Sequence, residues 1–279
     1  MKLILSRKGF DSSAGGVASP ILPDGSLFSL PIPQASATIC YRDLEGPAPV
    51  ARLVEDLTRG KISGDSGCHL DPDLLSGTVS RARGWRPLFG QCGAAQGHLN
   101  NQKVEPGDLF LFFGWFRQVR QQKGHWRFRP GSPNLHVLYG WFQIGEILDL
   151  AVHPTGKQAW MAYHAHCDGK QRGNNTLFVA SKELCLPGLK QPFPGAGLFP
   201  KFHANLCLTR PGSNRSTWLL PRWFSSEGRA SVLSYHQRRK WSNEGDMVRL
   251  ESAYRGQEFV LRCDDYPESL DWVGRLLTG

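Results

Sequence analysis

The sequence has little that would mark a zinc-binding or disulfide-stabilised protein. Its seven cysteines are odd in number, widely spread along the chain and free of any C-x-x-C pair. Disulfide frameworks and four-cysteine zinc sites are built from closely paired cysteines. We therefore expect reduced thiols that pack in the core.

Long apolar runs are also absent, and none approaches the roughly 18 residues that would span a bilayer. The apolar start at residues 1–5 is too short for a signal peptide, and Ser6-Arg7-Lys8 interrupts it at once. We expect a cytoplasmic protein with no membrane partner.

The sequence has fewer acidic than basic residues. The chain has 24 Asp plus Glu against 33 Lys plus Arg, which gives a formal net charge of +9. A positive field favours anionic partners, so a nucleotide or a nucleic acid is the expected partner, although many basic proteins bind neither. The sequence leaves the cofactor and the oligomeric state unknown.

Glycine and proline, by contrast, are plentiful, with 31 and 19 residues. They cut the apolar runs into short pieces, which is typical of strands joined by turns. We predict one domain over residues 1–279, in the α+β class and strand-rich. It would be a mainly antiparallel curved sheet or barrel with a few peripheral helices.

Two helices and an early hairpin can be placed on this frame. Apolar residues at i, i+3, i+4 and i+7 from Val50 predict a helix between Pro49 and Gly60. A second helix should close the chain after Pro267. Residues 1–6 predict a buried strand, and Pro-Asp-Gly at 23–25 predicts a tight turn.

The centre of the chain predicts a pair of long strands. A turn at residues 105–108 precedes the apolar run LFLFFGWF at 109–116, and a basic loop leads to a second run at 135–150 with glycines at 140 and 145. Glycines within strands mark bulges or close approach, so a curved antiparallel pair is expected. The pattern over 105–150 resembles the core of PUA-like and EVE-like domains, which are small barrels that grip bases.

The loop after the first strand carries the first candidate site. Arg7, Lys8 and the hydroxyls of Ser12 and Ser13 could bind a phosphate, with Asp11 as a nearby carboxylate. The Gly-Lys-Ser/Thr ending of a Walker A loop is missing. The alternative is a solvated turn in which Asp11 caps the next segment.

A second candidate is the segment His69-Leu70-Asp71-Pro72-Asp73. If it is extended, alternate residues point the same way, and an imidazole with carboxylates could hold a divalent metal or act as a general base. The alternative is a turn that leads into a helix, with aspartate near its N-terminus.

Amides and histidines supply two further candidates. Gln91, Gln96 and His98 could read the edge of a base, although turn and cap hydrogen bonds would explain them equally well. A Cys92–His98 nucleophile pair lacks any family signature and is not adopted. Residues 153–168 hold the densest set of possible metal ligands, His153, His164, His166, Cys167 and Asp168. Spacing alone cannot show that these ligands converge, so no metal site is assigned.

Aromatic and basic residues alternate in two places. In the loop at 117–129, Arg127 could track phosphates while neighbouring rings stack on bases. Trp218 could be a stacking platform and Arg222 a phosphate contact. The alternatives are an exposed basic hairpin in the first case and core packing in the second.

Seven blocks in one order carry a further resemblance over most of the chain. They are SRKGFDSSAGG, SPILPDGSLFSLPIP, HLDPDL, FGQCGAAQGHL, GDLFLFFGWFR, LYGWFQIGEIL and STWLLPRWF. The chain thereby resembles the nucleotide modification associated domain family, third type. That resemblance implies a bacterial or phage-linked protein that operates near modified bases or their precursors, without an established set of catalytic residues.

We therefore predict the functional residues from their own chemistry. The predicted catalytic residues are His69, Asp71 and Asp11. The predicted substrate-binding residues are Arg7, Lys8, Ser12, Ser13, Gln91, Gln96, His98, Arg127, Trp218 and Arg222. The chain would modify a phosphate-bearing nucleotide or a base. Alternatively it would be a non-catalytic PUA-like reader of modified nucleic acid, or a scaffold for modification enzymes, so catalysis itself stays open.

Overall fold

A computed structural model describes residues 1–154, 156–170, 172–225, 232–236, 240–253 and 258–279. The strands in these ranges are β1 (Lys2–Arg7), β2 (Ser19–Ile21), β3 (Ile32–Pro33), β4 (Cys68–His69), β5 (Leu88–Gln91), β6 (Leu109–Gln122), β7 (His125–Phe128), β8 (Leu135–Asp149), β9 (Thr176–Ala180), β10 (Ala196–Leu198), β11 (Thr217–Pro221), β12 (Trp241–Glu244), β13 (Met247–Glu251) and β14 (Glu258–Arg262). The α-helices are α1 (Val50–Thr58), α2 (Gly93–Asn101) and α3 (Glu268–Thr278).

Most strands form one mixed sheet, in the order β14-β1-β6-β8-β9-β5. Within it β10 also pairs with β8, while β2 and β7 also pair with β6. Strands β1 and β2 run parallel to β6, and the remaining pairs are antiparallel. The predicted strand-rich, mainly antiparallel α+β fold is confirmed, and no closed barrel is found within the described ranges.

The predicted central pair is β6 and β8, which form the backbone of this sheet. Register shifts occur between Phe112 and Phe113 of β6 and near Gly145 of β8, where one strand has an extra residue. A β-carbon on Gly145 would come within 2.8 Å of the Ser181 nitrogen, so the bulge depends on glycine. Such bulges bend a sheet.

The bend is large enough to bring the two edge strands of the sheet together. Gln91 at the end of β5 donates a hydrogen bond of 2.5 Å to Glu258 at the start of β14. Lys8, which follows β1, lies 4.7 Å from the centre of the Phe89 ring of β5. Side chains therefore link edges that are far apart in strand order.

An aromatic core supports this closure. Phe89 stacks on Phe178 of β9 with ring centroids 5.5 Å apart, and it meets Phe110 and Phe112 edge-on at 5.0 and 5.1 Å. All four rings are at most 1 % exposed. Offset-stacked and edge-on pairs of this kind add to the large burial energy of the rings. These rings thus pack strand β5 against β6 and β9.

Both predicted helices are confirmed. Helix α1 buries Val50, Leu53, Val54 and Leu57 on one face and ends at a left-handed Arg59. Helix α3 follows Pro267 and has 11 residues. In the described part of the chain, no helix is long and apolar enough to cross a membrane.

Some local expectations were wrong. No α-helix follows Asp73, where a 3₁₀ turn spans Ser76–Thr78. Instead, the Asp73 carboxylate accepts two hydrogen bonds from Arg81, at 2.6 and 2.7 Å. All seven cysteines are free, as predicted, but only three are buried and Cys185 is exposed.

Candidate functional site

Four side chains meet beside strand β5 and form what we call the His–Asp cluster, which consists of His69, Asp71, His164 and His166. His69 ends the short strand β4, and Asp71 lies two residues beyond it, so the two share one side of an extended segment. His164 and His166 come from the connection between β8 and β9, where a 3₁₀ turn spans Ala165–Cys167.

Asp71 lies at the centre of this cluster. Its carboxylate oxygens lie 3.7 Å from the Nε2 atom of His69, 3.8 Å from that of His164 and 3.7 Å from that of His166. These separations are too long for hydrogen bonds. Ligand atoms of His69, Asp71 and His166 all lie within 4.8 Å of one another, close enough to share an ion.

Strand β5 fixes the cluster through Gly90. The Gly90 backbone N–H donates a hydrogen bond of 2.8 Å to the Asp71 carboxylate. A β-carbon at position 90 would lie 2.3 Å from Cδ2 of His166, so the imidazole packs directly on the glycine backbone. Gly90 thus holds one member of the cluster and leaves room for another.

Two further contacts orient the histidines. The Nδ1 atom of His166 lies 2.7 Å from Oδ1 of Asn175, and the Asn175 amide donates back to the His166 carbonyl at 3.0 Å. A carbonyl oxygen only accepts, so Nδ1 of His166 carries the proton and Nε2 keeps its lone pair. In His164, Nδ1 accepts the His166 backbone N–H at 3.3 Å, which leaves the proton on Nε2.

Burial sets the protonation of this cluster. It lowers the pKa values of His69 and His166 to about 4 and lowers the pKa of His164 well below the usual value of 6.5. Burial also raises the pKa of Asp71, while the charge of Lys8 opposes that rise. All three imidazoles are therefore neutral near pH 7, and the lone pair on Nε2 of His166 is available to a ligand.

A buried ion pair adjoins the cluster. Nζ of Lys8 lies 3.2 Å from Oε1 of Glu258, and the same oxygen accepts the hydrogen bond from Gln91. The Glu258 side chain is 0 % exposed and that of Lys8 is 10 % exposed. In the described part of the chain, Oε2 of Glu258 has no hydrogen-bond partner. Lys8 acts electrostatically on His69, Asp71 and His166, which makes it part of the same site.

An aromatic pair completes this region. The His98 ring lies 4.2 Å from the ring of Tyr235, which is 51 % exposed, and Nε2 of His98 lies 2.9 Å from the Ser234 hydroxyl. The Glu258 charge acts on both rings, as it does on Asp71. The Glu258 carboxylate is thus near enough to Asp71, His98 and Tyr235 to act electrostatically on all three.

Of the residues predicted from sequence, His69, Asp71, Lys8, Gln91 and His98 converge in this region. Arg7, by contrast, acts electrostatically on His136 and Asp11.

The predicted loop residues have local partners. Asp11 accepts hydrogen bonds from the backbone of Ser13 and Ala14, and from the Ser13 hydroxyl. The Ser12 hydroxyl accepts a bond of 2.9 Å from Arg215. These contacts match the turn interpretation, and the structure does not join Asp11 to the His–Asp cluster.

The remaining predicted residues lie elsewhere. Gln96 is buried on α2 and donates to Asn100. Trp218 is 0 % exposed and packs edge-on against Phe113, so it belongs to the core. Arg222 donates to the Gly245 carbonyl, and Arg127 lies exposed on β7.

The hairpin of β6 and β7, on which Arg127 lies, helps to form a groove lined by both basic and aromatic side chains. We call it the aromatic groove. It has a volume of about 380 Å³ and is lined by Arg59, Lys61, Trp115, Arg117 and Phe128, among others. The guanidinium of Arg215 lies 4.2 Å from the centre of the Trp115 ring. Of the predicted basic loop, Arg117 and Phe128 line this groove, whereas Arg127 lies beside it on β7.

Sequence reasoning missed several members of the site. His164 and His166 were recognised as possible ligands, but spacing could not pair them with Asp71. Gly90 contacts Asp71, and Asn175 contacts His166, only in the folded chain. No sequence pattern around either residue predicts its contact. Glu258 is distant in sequence from every residue it contacts in the site.

Comparison with curated proteins and with solved structures finds no match for this chain. The family model described as "nucleotide modification associated domain 3" matches residues 2–262, nearly the whole chain. This match spans β1 to β14 and so includes every residue of the site described above. The chain belongs to the nucleotide modification associated domain 3 family.

Proposed function

We propose that this protein is an enzyme that modifies the base of a nucleotide or of a nucleic acid. The observation that carries the proposal is the convergence of the His–Asp cluster with Lys8, Gln91 and Glu258 inside one folded site. Buried charged and polar groups are costly, and functional sites are where such groups and perturbed pKa values gather. The family's association with nucleotide modification supports the choice of substrate.

The substrate-binding groups suit a nucleobase. Beyond its bonds to Glu258 and the Cys92 backbone, Gln91 keeps one amide hydrogen and one oxygen lone pair, and Oε2 of Glu258 can accept from an exocyclic amine or a ring N–H. The exposed ring of Tyr235 offers a face on which a base can stack, an interaction worth about 1 to 3 kcal/mol. Lys8 can attract an anionic group of the substrate.

The chemistry would then take place at the His–Asp cluster. The side chains of His69, Asp71 and His166 are between 8 and 11 % exposed, so the cluster opens only narrowly to the surface. A site with little water strengthens electrostatic interactions with a bound substrate. His69 and Asp71 are the residues on which the proposal depends most.

The test is a search for a modified nucleoside. The protein would be expressed in a bacterial host, and the nucleosides from digested DNA, RNA and the nucleotide pool would be compared by liquid chromatography and mass spectrometry. We expect a product with the wild type and none with His69→Gln or Asp71→Asn. His153→Gln removes an exposed histidine and is the matched control, which should keep the product.

A modified nucleoside that persists in both cluster variants would refute the assignment of the site. Because loss of product could also follow from unfolding, each variant would be compared with the wild type by circular dichroism and thermal unfolding. Loss of product with an unchanged fold would support the proposal.

The aromatic groove favours a second candidate, a reader of modified nucleic acid. Its lysine and arginines could neutralise phosphates while Trp115 and Phe128 stack on bases. The reader would bind without altering its ligand. In the described part of the chain only Leu75, Val152 and Tyr235 are large, apolar and exposed, which gives the scaffold alternative little support.

Binding measurements separate the reader from the enzyme. Arg127→Ala and Arg117→Ala should each weaken binding to an oligonucleotide and reduce its salt dependence if the groove tracks phosphates. Exposed Lys190, changed to alanine, is the control. Binding that is equal for all variants at low and high salt would remove the groove from the functional account.

A further inference from the structure

The His–Asp cluster has the geometry of a set of metal ligands rather than of a hydrogen-bonded network. The Nε2 atoms of His69 and His166 each lie 3.7 Å from the same Asp71 oxygen. Atoms bound about 2.1 Å from one ion lie about 3.0 Å apart in octahedral and 3.4 Å apart in tetrahedral coordination. Each of these two separations would need to shorten by less than about 1 Å to match such an arrangement.

We infer that His69, Asp71 and His166 bind one divalent first-row transition metal ion. Two imidazoles and one carboxylate form a ligand set that suits iron(II) or zinc, and that leaves coordination positions open for water or a substrate. The ion would serve the site proposed above, and to that extent its role rests on the proposed function, whereas binding itself does not.

Buried polar atoms without a hydrogen-bond partner support a cation at this cluster. In the described part of the chain, Nε2 of His69 and Nε2 of His164 are buried and have no hydrogen-bond partner. The His164 side chain is 0 % exposed and is directed at Asp71. Leaving a buried polar atom unpaired costs about 1 to 3 kcal/mol. A cation between the imidazoles and the carboxylate would remove that cost for His69.

The surrounding residues orient the ligands as metal sites require. The bond between Nδ1 of His166 and Asn175 fixes the tautomer with a lone pair on Nε2, and the Gly90 N–H fixes the Asp71 carboxylate. Metal-bound histidines usually have such a partner on the other ring nitrogen. His164 keeps its proton on Nε2 and accepts a hydrogen bond at Nδ1, so it has no lone pair for the ion and is not a ligand.

Metal content would be measured on full-length protein purified without chelators or oxygen. Mass spectrometry of the metals should find about one equivalent in the wild type and in His153→Gln. We expect at least a tenfold lower content in His69→Gln, His166→Gln and Asp71→Asn. The last variant keeps an acceptor for the Gly90 N–H, and circular dichroism would establish that each variant is folded.

Cobalt(II) added to chelator-treated protein gives a second readout that needs no substrate. We expect a visible absorption band that saturates at one equivalent and a rise in the unfolding temperature. Asn175→Ala should weaken cobalt binding about 10- to 100-fold, as expected for a positioning residue.

Two outcomes would overturn the inference. One is a wild type with no bound metal and no cobalt band, and the other is equal metal content in the folded triad variants. A bound metal without any modified nucleoside would leave the inference standing and count against the proposed enzyme. A modified nucleoside formed by protein that binds no metal would support the proposed enzyme and overturn the metal inference.

Discussion

Replacing Lys8 by methionine should destabilise the protein strongly, because it leaves the buried carboxylate of Glu258 without its ion-pair partner. Nζ of Lys8 lies 3.2 Å from that carboxylate, whose side chain is 0 % exposed. Removing one partner of a buried ion pair costs about 3 to 5 kcal/mol. Gln91 still donates to Glu258, so we expect about 3 kcal/mol, or about 6 to 12 °C in unfolding temperature for a chain of this size.

A second substitution, Glu258→Gln, removes the negative charge that Lys8→Met leaves without a partner, and the two substitutions form a double-mutant cycle. Glu258→Gln keeps an oxygen that can accept from Gln91, so the double variant Lys8→Met/Glu258→Gln should recover to within about 1 kcal/mol of the wild type. The coupling energy between the two positions should therefore exceed about 1.5 kcal/mol. Lys190→Met, which removes an exposed lysine, is the control and should change stability little.

Urea unfolding followed by tryptophan fluorescence and circular dichroism measures these differences. The reasoning would be refuted if Lys8→Met cost under 1 kcal/mol, or if the double variant were as unstable as the single one. The double variant also separates stability from function. A stable double variant that forms no modified nucleoside would place Lys8 and Glu258 in the substrate site.

Three further predictions concern the supports of the site and the fold. Gly90→Ala should displace His166 and cost about 1 to 3 kcal/mol, since the new methyl group would lie 2.3 Å from that ring; unchanged stability and metal content would contradict the contact. Asp56→Ala should cost about 1 to 3 kcal/mol because its partly buried carboxylate accepts from the Trp126 backbone and contacts His125, and urea unfolding checks this. Burial lowers the pKa of His136 to about 3, so the unfolded chain binds this proton more readily and stability falls as the pH drops from about 6.5. His136→Gln should reduce the loss of unfolding free energy between pH 7 and 5.5 by about 1 kcal/mol, and an unchanged loss would exclude His136 as its source.

Strong local periodicity explains what could be predicted from the sequence. The runs at 109–116 and 135–150 contain enough apolar residues to identify β6 and β8, and the spacing from Val50 identifies α1. Helix α2 was missed because Gly93, Gly97 and two asparagines are weak helix formers, and only Gln96 and Leu99 are buried on it. Packing against the sheet, not propensity, holds that segment helical.

In the candidate site, too, the contacts within one segment could be predicted, whereas those that depend on tertiary packing could not. His69 and Asp71 were paired correctly because an extended segment directs alternate side chains to one side. Their contacts with His166, Gly90 and Glu258 depend on how far the sheet bends, which no local pattern encodes. Asp11 was assigned to catalysis on its chemistry alone, whereas its hydrogen bonds lie within its own turn.

The bend itself links stability to the proposed chemistry. The site lies where the two edges of one sheet approach, and the Gln91–Glu258 hydrogen bond and the Lys8–Phe89 contact bridge that junction. Groups proposed to bind a substrate therefore also hold the edges together. A substitution there changes the relation of β5 to β14 as well as the chemistry. The Lys8–Glu258 pair consequently requires a double variant that conserves charge balance, because a single substitution there would disturb the junction as well as the chemistry.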